Sequence, residues 1–293
     1  LNAGRNKPNP ALSPPEEVIL STTTWLKTLN QAKASELGAV RHVLLDFDGT
    51  LSVLRQGWEP VMQTLMLESI SPGQTPPPDL VSEVHEFIDR STGKLTILQM
   101  QWLAAKVQSY GMEKRPLSAG EYKKKYLQAL MLSVSKRLEA LESGTVPPET
   151  YLIRGASQFV AGLAERGVTL YIASGSDHLD VVHEAQALGL AAYFGERIYG
   201  ALDESEANGK ERVIQRILDE HHLAGKELLV VGDGPVEIIE GSQRGALSLG
   251  VASDEIQRAG WNQHKIERLT RAGADFLAAD FEHAAELITL FAS

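Results

Sequence analysis

The sequence predicts a three-layer α/β/α fold on a parallel sheet, interrupted after its first core strand by an inserted helical domain. Three observations carry this. After residue 147, short apolar runs alternate with helical stretches, the pattern of parallel strands joined by crossover helices. Between residues 59 and 142 the apolar spacing is helical throughout and no strand signal stands out. The 293 residues are 43% hydrophobic and 23% charged, enough apolar material for a large core and too little charge for a disordered chain.

Taken in order, residues 1–15 hold four prolines and read as a flexible arm, because proline blocks regular backbone pairing. Residues 16 to about 35 read as a helix. Val40 to Phe47 contains four Val or Leu in eight residues, bounded by turn formers, which suits a buried strand ended by Asp48-Gly49-Thr50. The block 56–146 then carries helical stripes such as Val61, Leu65 and Met66, and later Ile97, Met100, Leu103, Ala104 and Val107. Its helices are separated by Ser71-Pro72-Gly73, Pro76-Pro77-Pro78, Gly111, Pro116 and Gly144. The core resumes at 147 with a helix over 156–166 closed by Gly167, a strand over 168–173 and a helix over 177–188. A short strand at 197–199, a helix over 210–222, a strand over 227–231, a helix over 234–244 and a strand over 246–251 come next. Further helices and a strand at 275–277 complete the chain. The core is thus expected over 16–55 and 147–293, a Rossmann-like arrangement.

In open parallel sheets the ligand lies beyond the carboxyl ends of the strands. The residues just past each strand here are polar and acidic: Asp46-Phe47-Asp48-Gly49-Thr50 after the first, Ser174-Gly175-Ser176 after the second, and Gly232-Asp233-Gly234-Pro235 with Glu237 after the third long one. Two carboxylates two residues apart on an extended path project to one side. At 4 Å and an effective dielectric of ~20 their repulsion is about 4 kcal/mol. A divalent cation removes the conflict, and hard oxygen donors favour Mg²⁺. A carboxylate assisted by such a metal can take up a phosphoryl group as an acyl phosphate.

These motifs, in this order, resemble those of the haloacid dehalogenase superfamily, over most of residues 39 to 252. The helical insertion is similar to that family's C1-type cap. The resemblance implies Asp46 as nucleophile and Asp48 as general acid and base, with Ser174 and the Gly175 amide holding the phosphate. It implies Lys210 as the cation that stabilises the phosphate and Asp46, and Asp46, Asp48 and Asp233 as the Mg²⁺ site, supported by Glu237. Lys210 departs from a frequent pattern of capped members, where proline follows the lysine; here Glu211 follows. A cation in the first turn of a helix is disfavoured by the dipole, which argues for a functional reason.

Composition narrows the chemistry further. Lysine and arginine number 28 against 38 acids, a formal charge of −10, so a protein-wide nucleic-acid footprint is absent. No apolar run reaches the ~18 residues of a membrane span. Cysteine is absent, which excludes thiolate metal sites and a cysteine nucleophile and agrees with a cytoplasmic setting. The expected activity is that of a Mg²⁺-dependent phosphatase acting on a small phosphate monoester, a phosphosugar or a phosphorylated hydroxy acid. The alternatives are a phosphomutase of the β-phosphoglucomutase type and a catalytically silent binding domain. Arg55, in the hinge after the first motif, and Lys94, in the small polar loop Ser91-Thr92-Gly93-Lys94, are the candidates for recognising the leaving group.

Overall fold

The computed structural model describes residues 25–113, 115–202 and 209–292. Seven strands form one sheet: β1 (Leu26–Thr28), β2 (His42–Leu45), β3 (Thr169–Asp177), β4 (Ile198–Ala201), β5 (Leu228–Gly232), β6 (Leu247–Val251) and β7 (Phe276–Ala278), in the order β1-β7-β6-β5-β2-β3-β4. All neighbours pair in parallel except β1, which runs antiparallel to β7.

Alternation along the strands feeds two apolar layers. Val43, Leu45, Leu229 and Val231 face one side, with Phe159 and Leu163 of α6 (Ala156–Glu165) and Leu287 and Phe291 of α12 (Ala284–Phe291). Leu44, Leu228 and Val230 face the other, against Val213, Ile214 and Ile217 of α9 (Lys210–Glu220). On that second face Ile238 of α10 (Pro235–Gln243) and Leu269 of α11 (Gln263–Arg271) complete the cover with Leu277. The three-layer core is therefore present, with α7 (His178–Ala187) and the one-turn α8 (Ala191–Phe194) between β3 and β4.

Two sequence expectations need correction. The helix expected from 16 to 35 is not found over its described part. Leu26 to Thr28 is extended as β1, and only a single turn, α1 (Gln31–Ala34), follows. Thr22 to Thr24 precede Trp25, a β-branched and aromatic run that favours a strand, and β1 covers the edge that β7 would otherwise expose. The first part of that expected helix, and the arm at 1–15, lie outside the described residues. The second correction is β3, which does not stop at 173. It stays extended to Asp177, with its pairing to β4 shifting register between Ala173 and Asp177. Ser174 to Ser176 are therefore an irregular strand end, not a turn.

Between β2 and α6 lie α2 (Trp58–Ile70), α3 (Pro78–Ser91), α4 (Thr96–Tyr110) and α5 (Ala119–Glu142), and among the described residues no strand interrupts them. Their buried positions recur at three and four residues: Met62, Met66 and Ile70 on α2, Met100, Leu103 and Val107 on α4, and Tyr126, Leu130 and Val134 on α5. On α2 the buried stripe is thus one residue displaced from Val61 and Leu65. Phe87 stacks on Trp102 at 3.8 Å, joining α3 to α4. Ser118 and Glu121 form a capping box that starts the 24-residue α5. Among the described residues no helix is long and apolar enough to cross a membrane.

Candidate active site

The carboxyl ends of β2, β3 and β5 converge. Asp46 continues β2, its amide donating to the Val231 carbonyl at 2.8 Å, so the sheet itself sets Asp46 beside the Gly232-Asp233 end of β5. Asp46 and Asp233 are both 4% exposed, and Glu237, one helical turn on, is fully buried. Carboxylate oxygens of these three acids lie within 4.8 Å of one another.

Lys210 opens α9 and is buried under this cluster. Its Nζ donates to Asp46 Oδ1 and to Glu237 Oε2, each at 2.7 Å. Burial alone would lower the Lys210 pKa, but the two carboxylates outweigh it and hold the ammonium above its ordinary range. Burial raises the Asp46 carboxyl well above its usual value, with Lys210 pulling the other way and Glu237 and Asp233 adding to the rise. Thr50 donates to Asp46 Oδ2 at 3.0 Å and approaches Asp233 Oδ1 at 3.5 Å. Glu237 is committed elsewhere: its Oε1 accepts the Gly234 amide at 2.7 Å and its Oε2 accepts Lys210. It anchors Lys210 and the start of α10.

Asp48 is held on the β3 side of the cleft. Its Oδ2 accepts from Ser176 Oγ at 2.8 Å and Ser174 Oγ at 3.2 Å, and Ser174 Oγ in turn accepts the Ser176 amide at 3.1 Å. Asp48 Oδ1 is buried and has no hydrogen-bond partner among the described residues. Arg55 Nε lies 3.8 Å from it. Ser174, expected at the phosphate, thus reaches Asp48, and the irregular end of β3 is what turns both serines toward it. Arg55 lines the cleft, but its guanidinium is largely engaged. It donates to Glu184 at 2.6 and 3.0 Å and to Asp180 at 3.1 Å, both acids of α7. Burial pushes the Glu184 carboxyl up to about 7 against the opposing pull of Arg55.

Over these groups lies a solvent-open cleft, lined on one side by the loop between α3 and α4. Gly93 sits there at φ +89°, and a Cβ on it would meet Glu237 Oε2 at 2.5 Å and Lys210 Nζ at 3.0 Å. A Cβ on Gly175 would meet the Lys94 carbonyl at 2.2 Å. The loop therefore touches the core directly, backbone on backbone. Lys94 lines the cleft, is exposed, and has no side-chain partner among the described residues. Trp58, Gln99 and Tyr126 line it as well.

Several residues take no role in the sequence reading: Ser176, Asp180, Glu184, Tyr126, and above all Glu255, Lys265 and Arg268. Lys265 Nζ donates to Asp233 Oδ2 at 2.7 Å and Glu255 Oε1 at 2.9 Å, while Arg268 Nη2 donates to the Asp233 carbonyl at 2.9 Å. Burial would raise the Asp233 carboxyl, but Lys265 and Arg268 outweigh it and hold it below the usual range. One signal for Lys265 was readable: it stands in the first turn of α11, where the dipole disfavours a cation, the same argument that marks Lys210.

The donor set fits Mg²⁺. It is all oxygen, and among the described residues Asp46 Oδ2 and Asp233 Oδ1 are each left with no hydrogen-bond partner beyond the Thr50 hydroxyl. Fold and site together define an open-sheet α/β protein that gathers acids and a buried lysine at the carboxyl edge of its strands. Residues 40–244 match the model of the haloacid dehalogenase-like hydrolases. The chain belongs to that family, and it is a hydrolase by that membership. Solved structures share the fold at low identity. One is described as a predicted phosphatase from Clostridium acetobutylicum, 18% identical, TM-score 0.55, covering 86% of this chain and 99% of that one. Another is described as a predicted phosphoglycolate phosphatase from Haemophilus somnus, 14% identical, TM-score 0.55, covering 85% and 98%. A third, a haloacid dehalogenase-like protein of unknown function from Agrobacterium tumefaciens, is 20% identical with TM-score 0.53 and covers 85% and 97%. No curated protein matches the chain.

Proposed function

We propose that the chain is a Mg²⁺-dependent phosphohydrolase of a small phosphate monoester, a phosphosugar or a phosphorylated hydroxy acid. One observation supports this more than any other. Asp46 is buried against Lys210 with one oxygen still open beside Asp233, while Asp48, two residues on, is held on the β3 side of the cleft by two serine hydroxyls. In this reading the carboxylates of Asp46 and Asp233 hold Mg²⁺, which would neutralise charge on the transferring phosphate, while Asp48, which the sequence also placed at the metal, keeps its side chain on the two serines for proton transfer. Residues 56–146 act as a cap over the 16–55 and 147–293 core.

An Asp46 carboxylate oxygen attacks phosphorus as the bond to the leaving oxygen breaks. Asp48 delivers its proton to that oxygen, so an alcohol departs and an aspartyl phosphate remains. Water then attacks this phosphorus. Asp48 takes the water's proton, inorganic phosphate leaves, and Asp46 is regenerated. Lys210 stays protonated throughout and offsets charge on Asp46 and the phosphate; Ser174 and the Gly175 amide border the phosphate position. Asp48 argues against dehalogenation, since a carbon–halogen bond offers no leaving oxygen to protonate. Lys94 and Tyr126 are the lining groups left for the ester's alcohol part, since the Gln99 amide is taken by Ser91, and Arg55 serves mainly to hold Asp48 and α7.

The test is a panel of phosphorylated metabolites with Mg²⁺ and with chelator, on the wild type, Asp46→Asn and Asp48→Asn. Phosphate release that requires Mg²⁺ and falls in both variants supports the reading. Either variant keeping more than about a tenth of the activity removes its assigned role, because acid catalysis alone contributes 10²–10⁴-fold. Isomerised sugar phosphate without free phosphate would indicate a mutase, and no turnover of any ester a silent binding domain.

A further inference from the structure

Helix α11 lies beyond the residues that match the family model, yet it reaches the floor of the site. Lys265 is 6% exposed, and its Nζ donates to Asp233 Oδ2 at 2.7 Å and Glu255 Oε1 at 2.9 Å, with the Gly49 carbonyl at 3.5 Å. Arg268, 3% exposed, fixes the Asp233 backbone carbonyl at 2.9 Å. One oxygen of Asp233 is therefore taken and its main chain is clamped. The other oxygen, Oδ1, is left on the side of Thr50, whose hydroxyl also donates to Asp46 Oδ2.

Resting on the reading that Asp46 and Asp233 hold Mg²⁺, we propose that Lys265 is a positioning residue of the metal centre. By binding Oδ2 it fixes the rotation of the Asp233 carboxylate and presents Oδ1 toward Asp46. A free carboxylate would offer either oxygen over a range of angles, and ordering it would be charged against metal affinity. An ammonium beside a metal would also repel it, so a second acid is needed. Glu255 supplies it: its Oε1 accepts from Lys265 Nζ at 2.9 Å and offsets the ammonium, so Lys265 acts through a directed bond more than through its field. This explains why a buried lysine and a half-buried glutamate from late in the chain converge on a residue that already has an ion-pair partner in Arg268, 3.7 Å away.

The experiment is Mg²⁺ titration by calorimetry on the full chain, wild type, Lys265→Met, Lys265→Arg and Lys265→Gln, with metal-free melting temperatures measured alongside. Loss of such a supporting bond weakens metal binding about 10–100-fold. Lys265→Met should fall in that range, and Lys265→Arg, which keeps charge and donors, should recover part of it. A general loosening of α11 would lower the melting temperature of Met and Arg variants alike without this order of affinities. If Lys265→Met does not fold, Lys265→Gln carries the comparison, its amide donor giving a smaller loss than 10-fold but a measurable one. Binding as tight as wild type or tighter in the folded variant overturns the proposal. If the wild type itself binds no Mg²⁺, the metal reading falls first and this inference with it.

Discussion

Removing the Arg55 guanidinium tests whether this residue is a surface recognition group or part of the frame. Its side chain is 4% exposed and that of Glu184 is 1% exposed, and they meet at 2.6 Å. Arg55→Met would leave Glu184 buried with no cation, facing Asp180 and Asp48, which share the same guanidinium. Breaking a buried pair from one side costs about 3–5 kcal/mol. At about 2–4 °C per kcal/mol for a chain of this order, the melting temperature should fall by roughly 6–20 °C. The loss has a sign with pH. Burial already pushes Glu184 up to about 7, so at lower pH it takes a proton and the stranded charge disappears. The gap to wild type should therefore be wider at pH 8.5 than at pH 5.5. Arg55→Met with Glu184→Gln removes both charges and should regain most of the stability. Thermal unfolding followed by circular dichroism, without substrate, reads all of this. A single variant melting within about 2 °C of wild type at pH 8.5, with only KM altered, would refute the reasoning and restore Arg55 as a ligand-binding group.

Two further perturbations probe other parts of the structure. Gly93→Ala places a Cβ 2.5 Å from Glu237 Oε2 at φ +89°; the backbone cost is about 1–2 kcal/mol, and displacement of its loop should lower kcat/KM about 10²-fold with only a modest fall in melting temperature. Unchanged kcat/KM would mean the loop does not cover the reacting groups. His42, bonded to Tyr171 Oη at 3.0 Å, is pushed by burial from 6.5 down to about 4. The unfolded chain takes up that proton first as pH falls, so the stability His42 contributes is intact above about 6.5 and is lost toward pH 4. Melting curves of wild type and His42→Gln across that window should converge as pH drops, and parallel curves would count against a neutral buried His42.

What could be read from sequence was whatever is local. Asp46, Asp48 and Thr50 lie within five residues of a strand end, and strand and acids announce each other. Lys210 and Asp233 were legible because each sits at a helix or strand boundary. The rest depends on contacts distant along the chain. The Arg55–Glu184 pair spans 129 residues, and it engages a guanidinium that the sequence alone left open for recognition. Lys265 reaches Gly49 across 216 residues. β1 owes its extended form to β7, about 250 residues on, and no periodicity within 16–35 encodes that partner. Ser176 was missed because β3 was expected to end too early, and a serine on a continuing strand points where a serine in a turn would not.

The strand order has a consequence for how the protein fails. Asp46 and Asp233 ride on β2 and β5, adjacent inner strands, and their separation is gauged by the rung from the Asp46 amide to Val231. Fraying begins at edges, here the three-residue β1 and the short β4, and neither rung nor acids belong to those. Amide hydrogens of residues 43–46 and 229–232 should then exchange with solvent only through global opening. The geometry of the acid pair is thus a property of the whole domain, kept or lost with it, while the borders of the sheet are free to breathe.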